Sequence, residues 1–154
     1  MNGKERIDKV LKGEWADQRP IMLHNFMHAV REAGMKMKDY YSNGKNAAKA
    51  HIQAVEKYKL DGVLLDIDTA VLAHAVGVPV DFPDDDPARV HEPSLLELEK
   101  VKDLKPIDIS NDPRVQIALT AARELKAYFN KRQAIVKKQK GINNLFDLSV
   151  IVVL

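Results

Sequence analysis

Two carboxylates, Asp66 and Asp68, follow directly after an apolar run at 63–65 that predicts a short buried strand. Folds that alternate strands and helices bind their ligands at the carboxyl ends of parallel strands. A carboxylate in that position can bind cationic or N–H-rich groups, or take part in acid–base chemistry. Because Asp also favours helix N-caps, capping of the following helix is the alternative role for either residue.

Two histidines, His24 and His28, lie four positions apart, a spacing that places two imidazoles on one face of a helix. The metalloprotease pattern HExxH is absent because Asn25 follows His24, and two histidines without a third ligand do not define a metal site. We therefore predict no metal site. His24, Asn25 and His28 are instead predicted, together with Asp66, to bind substrate, and His51 is predicted to be a partly buried packing residue.

The elements that must position these side chains alternate between strands and helices. Apolar runs predict strands at 21–23, 63–65 and 78–82. Helical periodicity and capping residues predict helices at 5–11, 26–33, 46–58 with Asn46 as its cap, 69–76, from Ser94 onward, and from Pro113 onward after Asp112; residues 40–44 are predicted as a loop. This alternation indicates an α/β fold with a parallel sheet.

The composition narrows the classes of function. The chain has 154 residues, with 24 Lys and Arg against 22 Asp and Glu and no Cys. The net charge of +2 is too small to indicate a nucleic-acid partner, and the basic run at 131–140 is predicted to be a solvated helix end. The lack of Cys excludes thiolate zinc ligands and a Cys nucleophile from this chain. P-loop, GxGxxG and GxSxG patterns are also absent from the sequence.

Membrane association is not expected from the sequence. The N-terminal residues MNGKER lack the apolar segment of a signal peptide, and the most apolar stretch, at 145–154, is too short for a membrane-spanning helix. We therefore expect a soluble, cytoplasmic protein with neither a membrane nor a nucleic acid as partner.

Three segments resemble the uroporphyrinogen decarboxylase family. The segment ERIDKVLKG at 5–13 is similar to the short helix with which that family begins, and DQRPI at 17–21 is similar to the turn that leads into its first strand. The segment DTAVLAHAVG at 68–77 is similar to the family's second strand end and following helix. The resemblance covers about residues 4–130, and its motifs are more specific together than singly.

The resemblance implies a (β/α)8 barrel with one of two activities. One branch of the family decarboxylates the acetate arms of uroporphyrinogen without a metal or organic cofactor, and the other transfers methyl groups between corrinoid proteins and thiols with zinc. In the decarboxylases an Asp at the end of the second strand contacts the pyrrole N–H groups and stabilises a developing positive charge. The spacing to Gly77 assigns that catalytic role to Asp68. We therefore predict a carboxy-lyase of tetrapyrrole biosynthesis that needs no cofactor.

The loop after the first strand departs from the decarboxylase pattern. The resemblance implies an arginine-rich loop that holds substrate carboxylates, whereas residues 25–29 read NFMHA and include no arginine. Neutral side chains cannot form bidentate pairs with carboxylates. A corrinoid-dependent methyltransferase relative is therefore the first alternative, although the zinc ligands of that branch lie in the C-terminal half of the barrel. A non-catalytic fragment or binding domain is the second alternative.

The length also departs from the family, since a closed barrel needs roughly 250 residues. We predict that residues 1–130 form the N-terminal part of an incomplete (β/α)8 barrel and that residues 131–154 form a divergent tail. The resemblance fades in the tail, which motivates the hypothesis of a truncated or frameshifted family member. Expected partners are a tetrapyrrole-like substrate and either further copies of the chain or a chain that completes the barrel. Whether this chain alone is an active enzyme stays open at this stage.

Overall fold

The computed structural model describes residues 1–93, 95–103, 106–131 and 150–153. Helices and strands are interspersed along the part of the chain before residue 76, with three helices between the first two strands. In chain order the elements are α1 Gly3–Leu11, β1 Met22–Leu23, α2 Phe26–Glu32, α3 Met37–Ser42, α4 Gly44–Tyr58, β2 Gly62–Leu65, α5 Val71–Ala75, a 3-10 helix at Leu98–Asp103, α6 Pro113–Lys131 and β3 Val150–Val153. The structure is therefore mixed α/β, as predicted.

The described strands form one sheet in the order β1-β2-β3. The strands β1 and β2 run parallel, with Met22 opposite Gly62, which confirms the predicted parallel pairing. In contrast, β3 runs antiparallel to β2, with Val153 opposite Gly62. The predicted parallel sheet therefore describes the β1–β2 pair, and β3 adds an antiparallel strand on the other side of β2.

Two local predictions before β2 are wrong. Residues 40–44 were expected to form a loop, but α3 extends to Ser42 because Met37, Tyr40 and Tyr41 bury one face at helical spacing. The N-cap of α4 is Asn43 rather than Asn46, since the Asn43 side chain accepts a hydrogen bond from the Lys45 N–H at 2.9 Å.

Three predictions after β2 also need correction. Residues 78–82 do not form a strand, and only an isolated backbone bridge joins Asp81 to Arg89. The helix predicted at 69–76 is the shorter α5, Val71–Ala75. The chain leaves the helix at Gly77, which has a φ of +88°. Ser94 lies outside the described residues, and among the described residues between it and α6 the 3-10 helix is the only helical element. Most of the predicted tail, residues 132–149, likewise lies outside the described residues.

The core lies between β2 and the helices α2, α3, α4 and α6, and α4 packs most extensively on α6. Small residues allow this close packing, because a Cβ added at Gly44 would lie 2.5 Å from the Ile117 carbonyl oxygen of α6. Val63 and Leu65 of β2 and Leu125 of α6 are almost fully buried. Each such side chain contributes roughly 1.5–3 kcal/mol by its removal from water. The strand β2 is thereby fixed against a helical layer, while both residues of β1 stay exposed.

No helix in the described ranges has the length and apolar character needed to cross a membrane.

Candidate functional site

The carboxyl ends of β1 and β2 bring His24 and Asp66 together. His24 follows β1 directly and Asp66 follows β2 directly, and parallel neighbours end at the same edge of the sheet. The His24 Nε2 lies 3.1 Å from the Asp66 Oδ2. The His24 side chain is 45% exposed and that of Asp66 is 24% exposed, so a ligand can reach both. An imidazole held by a carboxylate can take up or release a proton, and the carboxylate can accept N–H donors.

Asp68 occupies the opposite environment, although it lies only two residues further along the chain. Its side chain has no exposed surface, and its two oxygens have different partners. Oδ1 accepts a hydrogen bond from the Ala70 N–H at 2.8 Å, and Oδ2 forms an ion pair with Arg114. Burial raises the pKa of Asp68, and the Arg114 guanidinium opposes that rise. Asp68 therefore joins the end of β2 both to the start of α5 and to α6.

Arg114 is a functional candidate that the sequence reasoning missed. It lies in the first turn of α6, where the Asp112 side chain accepts hydrogen bonds from the Arg114 and Val115 N–H groups at 2.8 and 3.1 Å. Its guanidinium carbon lies 5.0 Å from the centre of the Phe82 ring. A cation in the first turn of a helix interacts unfavourably with the helix dipole. An arginine directly after the Asp112–Pro113 helix start was therefore the sequence feature that could have indicated a buried acidic partner. The acidic partner Asp68 explains why an arginine is stable there.

A buried tyrosine and histidine lie beneath the open pair. Tyr40 on α3 and His51 on α4 are almost fully buried, and Tyr40 Oη lies 2.9 Å from His51 Nε2. The same hydroxyl donates a short hydrogen bond to the Asp66 carbonyl oxygen. Burial, together with the nearby charge of His24, lowers the pKa of His51 to about 4. Burial also raises the pKa of Tyr40 well above its usual value. Both groups are therefore neutral at pH 7.

The other two predicted site residues lie close to the pair in sequence but have separate surroundings. Asn25 precedes α2, and its Nδ2 is buried with no hydrogen-bond partner in the described part of the chain. His28 lies on α2, and its Nε2 is 3.1 Å from Tyr58 Oη at the end of α4. The expectation that His24 and His28 share a helix face is wrong, because α2 begins at Phe26. The structure therefore joins His24 to Asp66 and directs His28 towards α4.

The family model described as uroporphyrinogen decarboxylase (URO-D) matches residues 2–141. The chain belongs to the uroporphyrinogen decarboxylase family. The matched segment contains β1, β2 and α6, and hence both strand-end carboxylates and Arg114.

A solved structure with a similar fold is a methyltransferase from Methanosarcina mazei, with a TM-score of 0.69 and 22% sequence identity. The match covers 83% of this chain and 39% of the methyltransferase chain, so this chain spans about two fifths of that protein's length. No curated protein matches the sequence. At this identity the likeness shows the fold alone, and it is consistent with part of a TIM-barrel-like fold in this URO-D family member.

Within the described ranges, neither a metal site nor a cavity is found at the His24–Asp66 pair. No group of three or more His, Asp or Glu side chains in these ranges has the geometry of a metal site. A cavity of about 250 Å³ lies between α2, the start of α3 and residues 85–87, and none of the predicted site residues lines it. The described geometry therefore favours acid–base and N–H-binding chemistry at the His24–Asp66 pair.

Proposed function

We propose that this URO-D family member acts as a carboxy-lyase on a tetrapyrrole-like substrate, with His24 and Asp66 facing that substrate. The observation that carries the proposal is the solvent-open His24–Asp66 pair at the carboxyl ends of two parallel strands. Ligands of such folds bind at this edge of the sheet. Family membership supports this class of reaction, and the geometry supports these two residues as the ones that face the substrate.

The two side chains suit the removal of an acetate arm from an electron-rich pyrrole ring. A ring carbon first takes up a proton and the ring becomes a cation. The bond to the carboxylate then breaks, CO₂ leaves, and its electron pair neutralises the ring. The remaining methylene takes up a second proton to become a methyl group, and the ring carbon loses the first proton. One proton is consumed for each CO₂ released. His24 held by Asp66 can exchange these protons, and the Asp66 carboxylate stabilises the cation.

The role of Asp68 in this proposal follows from its surroundings. The resemblance assigns the cation-stabilising carboxylate to Asp68, whereas Asp66 is the carboxylate that a ligand can reach. A carboxylate paired with a guanidinium has little net charge and stabilises a nearby cation less than an unpaired carboxylate does. The catalytic role of Asp68 stays a prediction, and substitution of each carboxylate separates the two assignments.

A second candidate is methyl transfer, as in the corrinoid-dependent branch of the family. It is favoured by the absence of arginine from residues 25–29, because a polycarboxylate substrate needs such side chains. The structural likeness to a methyltransferase agrees with this alternative but does not favour it over the carboxy-lyase. Under either activity, a second chain or further residues would complete the site. A non-catalytic binding domain is the third possibility, and it predicts no turnover at all.

The proposal is tested by incubating the folded chain with uroporphyrinogen under anaerobic conditions and separating the products by their number of carboxylates. We expect products with fewer carboxylates, and a loss of about 10²–10⁴-fold in rate for Asp66→Asn. Asp103→Asn is the matched control, because Asp103 is an exposed residue at the end of the 3-10 helix and takes part in none of the site contacts described above. A larger loss for Asp68→Asn than for Asp66→Asn would return the catalytic role to Asp68. Folded protein that neither binds nor converts the substrate would contradict the proposal.

A further inference from the structure

Tyr40 is a buried side chain that contacts one half of the open pair, Asp66, directly and the other half, His24, through Phe26. Its hydroxyl bonds to the backbone of Asp66, directly beyond the last residue of β2. Its ring is stacked on Phe26 with a centroid separation of 6.1 Å, and the Phe26 ring lies 5.5 Å from the His24 ring. One aromatic stack therefore supports His24, while one hydrogen bond holds the backbone that carries the Asp66 carboxylate.

The hydrogen-bond directions around Tyr40 follow from donor and acceptor counts. A tyrosine hydroxyl has one proton, and a backbone carbonyl can only accept. The Tyr40 proton must therefore point to the Asp66 carbonyl oxygen, so that the hydroxyl oxygen accepts from His51 Nε2. His51 is consequently a neutral imidazole that carries its proton on Nε2. The two hydrogen bonds therefore run in one direction, from the His51 N–H to the Tyr40 hydroxyl and from that hydroxyl to the Asp66 carbonyl oxygen.

This arrangement fixes the backbone at the point where regular sheet pairing stops. Asp66 lies beyond the paired residues of β2, so the sheet register ends at Leu65. The bond from Tyr40 supplies a partner for the Asp66 carbonyl and thereby restrains the backbone from which the Asp66 side chain extends to His24. The charged and titratable groups around this series are Asp66, Asp68, His24 and His51 itself.

We propose that Tyr40 and His51 are positioning residues for the His24–Asp66 pair. The inference rests on the proposed function for its catalytic meaning, but the contacts that carry it do not depend on turnover. Neither side chain is open to a substrate, so each acts through Asp66 and His24 rather than on the reacting atoms.

The chain contains a matched control for the key substitution. Tyr41 follows Tyr40 on α3, is also buried, and donates from its hydroxyl to the Pro83 carbonyl oxygen at 2.7 Å. Tyr40→Phe and Tyr41→Phe each remove one hydroxyl that bonds to a backbone carbonyl, but only the first bond belongs to the strand-end site. Damage to packing alone would affect the two variants alike.

The experiment is NMR of the histidine side chains in wild-type protein and both variants. In the wild type, the ¹⁵N shifts of His51 should show the Nε2–H tautomer from pH 8 to about 5. In Tyr40→Phe we expect mixed tautomers for His51 and displaced imidazole C–H signals for His24. In Tyr41→Phe both sets of signals should match the wild type. Where the protein is active, kcat should fall about ten- to a hundredfold in Tyr40→Phe alone.

Two results would overturn the inference. The first is a Tyr40→Phe protein whose His24 signals match those of the wild type. If that variant does not fold, His51→Gln is compared with His51→Leu, since the glutamine amide retains a donor towards Tyr40 and leucine does not. We expect wild-type His24 signals only in His51→Gln, and equal signals in both variants would be the second contradicting result. If the wild-type and variant proteins show the expected His24 and His51 signals but the wild type converts no substrate, the proposed function is contradicted and the positioning role is not.

Discussion

Asp66 and Asp68 show how two identical side chains at one strand end come to have different tasks. The Asp66 carboxylate is open and has a partner, His24, that is itself 45% exposed. The Asp68 carboxylate has no exposed surface, and its partner Arg114 has a side chain that is only 6% exposed. The open pair can exchange protons with a ligand, whereas the buried pair joins two elements of the fold.

The difference arises where β2 ends. Residues two apart on a strand point to the same side, so an extended chain would direct both carboxylates alike. The regular strand stops at Leu65, and the Asp68 side chain bonds to the Ala70 N–H instead. That local turn directs Asp68 towards α6 and leaves Asp66 at the edge of the sheet. Residue type is therefore a weaker guide to function here than the conformation of three or four residues.

The largest effect is expected from breaking the buried pair. Arg114→Gln leaves the Asp68 carboxylate buried without a counter-charge, which typically costs about 3–5 kcal/mol in the free energy of unfolding. Urea denaturation measures this loss, and Arg31→Gln, at an exposed position of α2, is the control. The double substitution Asp68→Asn with Arg114→Gln should recover much of the stability. An equal loss in the single and double variants would show that the two charges are not coupled.

Acid should lower the free energy of unfolding through protonation of the buried His51. Its pKa of about 4 in the folded protein lies below the usual value of 6.5, so between these values the unfolded chain binds a proton that the folded chain does not. Stability is therefore lost as the pH falls from about 6.5 towards 4, by on the order of 3 kcal/mol. Unfolding curves from pH 7 to 4 measure the loss, and His51→Gln should flatten this part of the profile. An unchanged slope in that variant would assign the acid sensitivity to other groups.

The smallest effect on stability is expected from the open pair itself. Asp66→Asn replaces the carboxylate in a partly exposed contact with His24, and such exposed contacts are worth about 0–1 kcal/mol. The same substitution is expected to abolish most of the proposed activity, so stability and rate should separate. Thermal unfolding measured beside the product assay tests this separation. A stability loss as large as that of Arg114→Gln would mean that both pairs are structural.

The sequence pattern predicted the elements that carry the site better than the contacts within it. The apolar runs correctly located β1 and β2, and the Asp112–Pro113 pair correctly marked the start of α6. Strand-end chemistry then directed attention to Asp66 and Asp68. The bonds from Tyr40 and Arg114 were not predicted, because they depend on how separate helices pack on the sheet.

Errors at helix ends had a similar physical origin. Both Asn43 and Asn46 are suitable caps by residue type, but Asn43 is the cap, and the Asn46 Nδ2 donates instead to the Asp39 carbonyl oxygen. The local sequence pattern does not indicate which of two neighbouring asparagines begins the helix. His28 was placed beside His24 on the four-residue spacing alone, although the helix predicted at 26–33 excludes residue 24, and α2 indeed begins at Phe26.

The separation in sequence of the paired residues has a consequence for how the site forms. His24 and Asp66 are 42 residues apart, and Asp68 and Arg114 are 46 residues apart. Contacts of such range require loop closure and slow the folding of a chain. Local helices such as α4 can form early, but the acid–base pair exists only after the β1–β2 pairing has formed. Assembly of the site is therefore a late event in folding, coupled to completion of the sheet rather than to formation of any one helix.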